Sequence, residues 1–346
     1  MSLFSYIVRR LLYMILVLFL LSIVVFGVLM LLPPGMRVAA YIRGVGERVS
    51  PAQMEALILK YGMRDPAPVQ YVRWLGQIFT GNFGYSITAQ SPVIDCFVLY
   101  FPVTLELVIY SVPLIVLLGI TLGSIGAVNK DKPIDHATRI FAIIGYSLPI
   151  FWLGLLLLMI FYGVFGIFPP GTLSNQSKDI VLSPEFKRYT HILTIDAILN
   201  GRWNIFLDAL HHIILPAVNL ALLNSALIMR LMRSSMIEAL GQDYIRTALA
   251  KGADKKTIYN KHARRNALIP VVTVSGMLFA WLMAGMVLTE TIFARKGIGW
   301  WTARAALQLD VSAVMFIVLF LGTLFVITNL IVDIIYAYID PRIRLA

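Results

Sequence analysis

Six stretches of this chain are each long and apolar enough to cross a bilayer, at about 11–32, 101–128, 137–163, 211–233, 267–291 and 311–337. About 20 apolar residues span the hydrocarbon core as a helix. A spanning backbone finds no water to bond, so it must satisfy its own N–H and C=O groups, which requires helices. The pattern predicts an all-α integral membrane protein with six transmembrane helices. Composition agrees, because only 14% of the 346 residues are charged, against roughly a quarter in a soluble domain.

Arg9 and Arg10 precede the first apolar run, as in a secretory signal. That run, Leu11 to Leu32, is interrupted only by Ser22 and Gly27. It is too long for a signal core, and no small-x-small cleavage site follows, so it reads as an anchor that stays. The lone Cys96 leaves no internal disulfide, and no Cys/His spacing fits a zinc site. His211 and His212 are neighbours that point in different directions on a helix, and they read as interfacial polar residues rather than metal ligands.

Lys and Arg set the orientation. With the N-terminus inside, the inner segments are 1–10, 129–139, 230–266 and the tail after Tyr338. They hold 16 of the 29 basic residues, and the outer segments hold 13 in about twice the length. This bias predicts both termini in the cytoplasm. It also accounts for the net charge of +11 through inner loops and anionic head groups. Nucleic acid is not an expected partner, because no binding module accompanies the charge.

The outer segments are unequal. Residues 33–100 are expected to form a helical extracytoplasmic region, with Ser50 as N-cap and Pro51 at the first helical position. A helical stretch around Tyr71 to Phe79 then leads to the turn "TGNFGYS", Thr80 to Ser86. A second outer loop, 164–210, starts at the Pro169-Pro170-Gly171 turn. The segment 292–310 carries Trp300-Trp301, suited to an interfacial belt. The expected division is 1–100, first span plus outer region, and 101–346, a five-helix core with an inner loop at about 234–266.

Few charges lie in the spans. Glu106, Glu290, Asp333 and Arg230 sit near the ends, where snorkelling or pairing at an interface is expected. No span has the central acidic ladder that an ion-coupled pump requires. Gly119 and Gly123, followed by Gly126, let a second helix approach closely.

The inner loop from Asp243 to Arg265 turns strongly basic. Asp243 is expected to cap a helix from Tyr244 to Ala250, and Gly252 suits the left-handed residue that ends it. Asp254 is expected to cap a second short helix running towards Ala263. Tyr244 and Ala248, beside Ile245 and Leu249, give the first helix an apolar face, and Ile258, Tyr259 and His262 lie together on the second. Such helices either anchor on lipid or fill a protein groove, and periodicity does not choose between them.

The residues "RSSMIEALGQDYIRTALAKGADKKTIYNKHARRNALIPVVT", Arg233 to Thr273, resemble the coupling loop of permease subunits of binding-protein-dependent ABC importers, in particular the dipeptide/oligopeptide branch (first-permease, B-type subunit). Similar pieces are "YIVRRLLYMILVLF" at the start, "GNFGYSI" before the second span, "PVTLEL" at 102–107, "YSLPIFWLGLLLL" at 146–158, "ILPAVNLAL" at 214–222, "ETIFARKGIGWW" at 290–301 and the terminal "DPRIR". One departure is that Leu268-Ile269-Pro270 follows the glycine later than in the general permease loop, a spacing that fits the peptide branch. The outer loop 172–210 is longer than a minimal member needs.

The resemblance implies ABC type I importer architecture in the inner membrane of a bacterium or archaeon. It implies a second homologous permease, two ATPase subunits and an extracytoplasmic solute-binding protein as partners. It also implies that Tyr244, Ile245, Arg246, Ala248, Leu249, Gly252 and Asp254 form the ATPase-coupling loop, with Ala248 and Gly252 at its centre. Lys251 and Lys255 are expected to join Arg246 in pairing with acidic groups at the rim. The chain is not expected to be an enzyme. None of its 24 glycines precedes a lysine, so it has no P-loop, and ATP and Mg belong to partner subunits. The same machinery elsewhere imports oligosaccharides or nickel chelates, and an ion-coupled secondary transporter or channel is the competing class.

Overall fold

A computed structural model describes residues 3–39 and 50–339 of the chain. The tail carrying Asp340 to Arg344, with its two basic residues, lies outside the described residues, as does the side chain of Asp333.

The first span is α1 (Leu3–Met30), followed by α2 (Pro34–Ala39), α3 (Pro51–Lys60) and α4 (Ala67–Phe79). Helix α3 opens on the expected cap: the Ser50 hydroxyl accepts from the Gln53 amide, and the Gln53 side chain accepts from the Ser50 amide. Two residue pairs, β1 (Tyr85–Ser86) and β2 (Ser91–Pro92), make a small antiparallel ladder before α5. Helix α5 (Val93–Val128) starts eight residues before the expected position. Its early turns are not lipid-facing throughout. Val93 and Cys96 pack against Ile298, Trp301 and Phe316, which is why an apolar-run criterion set the start too late.

The third span is not one straight helix. Helix α6 (Pro133–Ser147) and α7 (Ile150–Leu157), with a π-helical turn at Leu158–Val164, are bent by 102°. Pro149 causes the break. It cannot continue the hydrogen-bond ladder, and it pushes Leu148 into an extended conformation (φ −78, ψ 132). The described residues therefore contain five long apolar helices plus this bent pair.

The 164–210 loop holds α8 (Asn175–Leu182) and α9 (Leu193–Leu199) and has a small core of its own, built from Leu173, Phe186, Ala197, Ile205 and Ala209. Helix α10 (Trp203–Leu240) is longer than the expected span at both ends. It packs along α5 at the predicted glycines. A Cβ added at Gly119 would stand 2.5 Å from the Ile228 Cβ, and one at Gly123 would stand 2.6 Å from the Met229 carbonyl oxygen. Glycine at these two positions is a steric requirement for the contact.

Helix α11 (Asp243–Ala250) is followed by α12 (Lys255–Thr257), a π-helical turn at Ile258–Ala263 and α13 (Arg264–Met283). The fifth span thus ends at Met283 rather than 291. Ala284 closes it, and Gly285, at φ +99, turns the chain tightly against Gly299. Helices α14 (Val287–Ile292) and α15 (Ile298–Leu307) lead to α16 (Val311–Ile339), which packs on α1.

Several interior placements differ from the sequence expectation. Trp301 is completely buried, not interfacial, because it fills the junction of α5, α15 and α16. His212 is buried too, with Nδ1 at 2.8 Å from the Asp208 carbonyl oxygen. Glu106 and Glu290 are both buried and do not snorkel: Glu106 pairs with Arg295, and Glu290 accepts from the Thr104 hydroxyl.

Candidate functional site

The basic segment after α10 is built from three local devices. The first is the end of α11. Gly252 sits at φ +80, its N–H donates to the Leu249 carbonyl at 2.9 Å, and the Ala253 N–H donates to the Ala248 carbonyl at 3.1 Å. This pair of bonds is a Schellman closure, and it requires a residue that tolerates the left-handed region. A Cβ on Gly252 would meet nothing within 4 Å in this chain, so the constraint there is conformational and not steric.

The second device is Asp254. Its carboxylate accepts from the Thr257 amide at 3.4 Å and so caps the next helix, as expected. Hydrogen bonding from Thr257 holds this exposed carboxyl below the usual aspartate range. The helix it starts is not an isolated short one. It runs through the π-helical turn directly into α13, so the capped end and the span are one continuous body. Asp243 does not act as the matching cap for α11. It occupies the first helical position, Gln242 precedes it with no side-chain capping bond, and Asp243 instead favours the helix dipole.

The third device is a side-chain tie. Asn266 of α13 donates from Nδ2 to the Tyr244 hydroxyl at 3.0 Å and to the His262 carbonyl at 3.1 Å. It joins α11 to α13 across the Gly252 turn. Sequence reasoning missed Asn266, because its role depends on a partner 22 positions away.

The expected apolar face of α11 divides in two. Ile245 is only 3% exposed and packs with Met236, Ala239, Ile258, Ala263 and Ala267 in the main core. Ile245 therefore secures α11 to its own chain and adds nothing to the exposed side of that helix. Tyr244 and Leu249 are 40% and 53% exposed, Ala248 is half-buried, and these three form the outward apolar surface. Arg246 pairs with Asp243 at 3.4 Å, but both are strongly exposed, so the pair contributes little to stability. Lys251 and Lys255 are exposed beside the glycine turn.

A second cluster lies at the far end of the bundle. Arg295 donates to Glu106 at 2.7 Å, and the second Glu106 oxygen accepts from the Thr194 amide at 2.8 Å. Glu290 accepts from the Thr104 hydroxyl at 2.7 Å and the Trp300 amide at 2.8 Å. The two carboxylates thus fasten α5 to the 164–210 loop and to the α14–α15 corner. Their presence was visible in the sequence, but their partners were not.

A family model for the binding-protein-dependent transport system inner membrane component matches residues 119–345. A model for the N-terminal part of such components matches residues 3–108. Among similar proteins is the probable D,D-dipeptide transport system permease protein of Escherichia coli K12, 40% identical over 298 residues and covering 86% of each chain. The di/tripeptide transport system permease protein of Pseudomonas aeruginosa is 39% identical over 341 residues, 98% of each chain. The oligopeptide transport system permease protein of Bacillus subtilis is 37% identical over 298 residues, 86% of this chain and 87% of its own. With its all-helical span arrangement, the chain belongs to the family of binding-protein-dependent transport system inner membrane components, as a non-catalytic permease subunit of an ABC importer.

Proposed function

We propose that this chain forms half of the translocation pathway of an ATP-driven importer for di- or oligopeptides. Similarity across 98% of the chain to a permease named for di- and tripeptides carries the substrate class. The partners in this reading are a second homologous permease, two ATPase subunits that hold ATP and Mg, and an extracytoplasmic protein that delivers the peptide. The excess of Lys and Arg in 129–139 and 230–266 supports an orientation with both termini in the cytoplasm.

In the same reading α11 is the docking knob. Tyr244, Ala248 and Leu249 meet a groove on the ATPase, Gly252 leaves open space on the partner side, and Arg246, Lys251 and Lys255 meet acidic groups at its rim. Asp254 and the continuous helix behind it convert movement of that knob into movement of α13. Ile245 and the Asn266–Tyr244 bond make the lever stiff enough to carry force. A rigid-body shift of packed helices is an established way to switch access.

The test is reconstitution of the full complex in proteoliposomes with its binding protein. A dipeptide-loaded binding protein is expected to stimulate ATP hydrolysis and drive dipeptide accumulation. Stimulation only by an oligosaccharide- or nickel-loaded binding protein would reject the peptide assignment. Uptake by the lone chain under an ion gradient would reject the ATP-driven class.

A further inference from the structure

Between α6 and α10, at the end of the bundle that carries the basic segment, lies a cavity of about 210 Å³ lined by Arg139, Arg230 and Arg233 with Thr138, Ile143 and Met229. No element of the coupling proposal uses it. The three guanidinium groups differ in their partners. Arg233 is neutralised by the buried Asp135, which accepts from Nε at 2.6 Å and from Nη2 at 2.7 Å. Arg230 lies over the Tyr146 ring, 4.7 Å from its centroid. Among the described residues neither Arg139 nor Arg230 forms a salt bridge. The cavity therefore holds two cations beyond what Asp135 balances.

We propose that this cavity binds the phosphate head group of an anionic phospholipid. The charge selects an anion, and planar guanidinium groups match phosphate oxygens in pairs. The surroundings select a lipid rather than a soluble phosphate. Ile143 and Met229 form part of the cavity wall, and beside it Ile140, Ile143 and Ile144 stand exposed on α6, in the helix pair apolar enough to cross the membrane. An anion bound here that carries an acyl chain can lay it along that strip. Basic pockets between membrane helices bind anionic head groups on the same physical basis. The Asp135–Arg233 pair fixes the floor of the site by locking α6 to α10, so Arg139 and Arg230 are the residues that select the ligand. The assignment rests on the chain being a membrane protein and not on what it imports.

Native mass spectrometry of the full-length chain in detergent tests it, with phosphatidylglycerol and phosphatidylcholine as probes. Phosphatidylglycerol is expected to bind more tightly than phosphatidylcholine. The double variant R139Q/R230Q is expected to lose about 25-fold in that affinity, a factor of about five for each arginine near a charged surface. The variant R139K/R230K, which keeps the charge but not the planar fork, is expected to lose less affinity than R139Q/R230Q, and this separates loss of charge from loss of fold. R188Q, in the outer loop, is expected to bind like the wild type. Equal binding of the two lipids, an unchanged affinity in R139Q/R230Q, or the same loss in R188Q overturns the proposal. Displacement of the lipid by millimolar inorganic phosphate also overturns it, by making the site one for a soluble anion.

Discussion

Asn266 on the spanning helix α13 donates a hydrogen bond to the Tyr244 hydroxyl of α11 at 3.0 Å. The bond crosses the Gly252 turn and closes the loop between the α11 knob and the helix that the knob is proposed to move. Being exposed, it contributes about 1 kcal/mol or less to folding. Tyr244→Phe and Asn266→Ala are therefore predicted to leave the unfolding temperature of the solubilised chain nearly unchanged. In the reconstituted importer they are predicted to raise the ATP hydrolysed per peptide imported, because the knob can then move without the span. An unchanged ratio in both variants would show that this tie carries no force.

Ile245 and Leu249 lie one turn apart on α11, yet Ile245 is buried in the core and Leu249 stands exposed. Truncation of the buried Ile245 to Ala is predicted to cost about 2–4 kcal/mol, the usual range for a large-to-small change in a packed core. Leu249→Ala removes an exposed side chain and is predicted to change stability by less than about 0.5 kcal/mol. The ranking should reverse for association with the ATPase, with Leu249→Ala weakening co-purification of the subunit under conditions where the chain stays folded. Thermal unfolding and co-purification, run on the same two variants, check both halves.

Gly252 has open space around its Cα and a φ of +80. Gly252→Ala is predicted to cost about 1 kcal/mol from backbone strain alone. Gly252→Asn is predicted to cost less, because asparagine tolerates the left-handed region. If Gly252 also admits the ATPase surface, Gly252→Asn and bulkier replacements should uncouple hydrolysis from uptake despite a stable fold. Bulky replacements at Ala248 are expected to do the same. Full transport by Gly252→Asn together with normal ATPase association would leave the glycine only its turn-forming role.

What could be read from the sequence divides along physical lines. Span positions were legible because lipid demands long apolar helices. The Ser50 and Asp254 caps and the Gly252 turn were legible because their signals are local. The α5–α10 contact was foreshadowed by Gly119 and Gly123, since small residues announce close approach without naming the partner. The 102° bend was missed although Pro149 marked it, because proline is tolerated inside other spans here, as Pro113 and Pro216 show. The inward turn of Ile245 was missed because α11 is short and both of its sides carry apolar residues. Trp301 and His212 were misplaced for a related reason: residue type suggests an interface, but only tertiary packing decides burial.

The pairing of Glu106 with Arg295 supplies the last prediction. Both side chains are almost fully buried, at 3% and 1% exposure, and they meet at 2.7 Å. Removing two charges from water is expensive, so such a pair adds little over an apolar contact, but breaking it strands the survivor. Arg295→Met leaves the Glu106 carboxylate with the Thr194 amide as its remaining donor and is predicted to cost about 3–5 kcal/mol. Glu106→Gln strands the guanidinium similarly. The double variant E106Q/R295M is predicted to be destabilised by less than the sum of the two single changes, because neither uncompensated charge remains. The damage should also be local. Thr194 lies in the first turn of α9 and Gly171 near the start of the 164–210 loop, and both bond to this pair, so limited proteolysis of Arg295→Met is expected to cut first within 171–200. A strictly additive double variant, with no new cleavage in that loop, would mean that Glu106 and Arg295 are neighbours without being the fastening between the loop and α5.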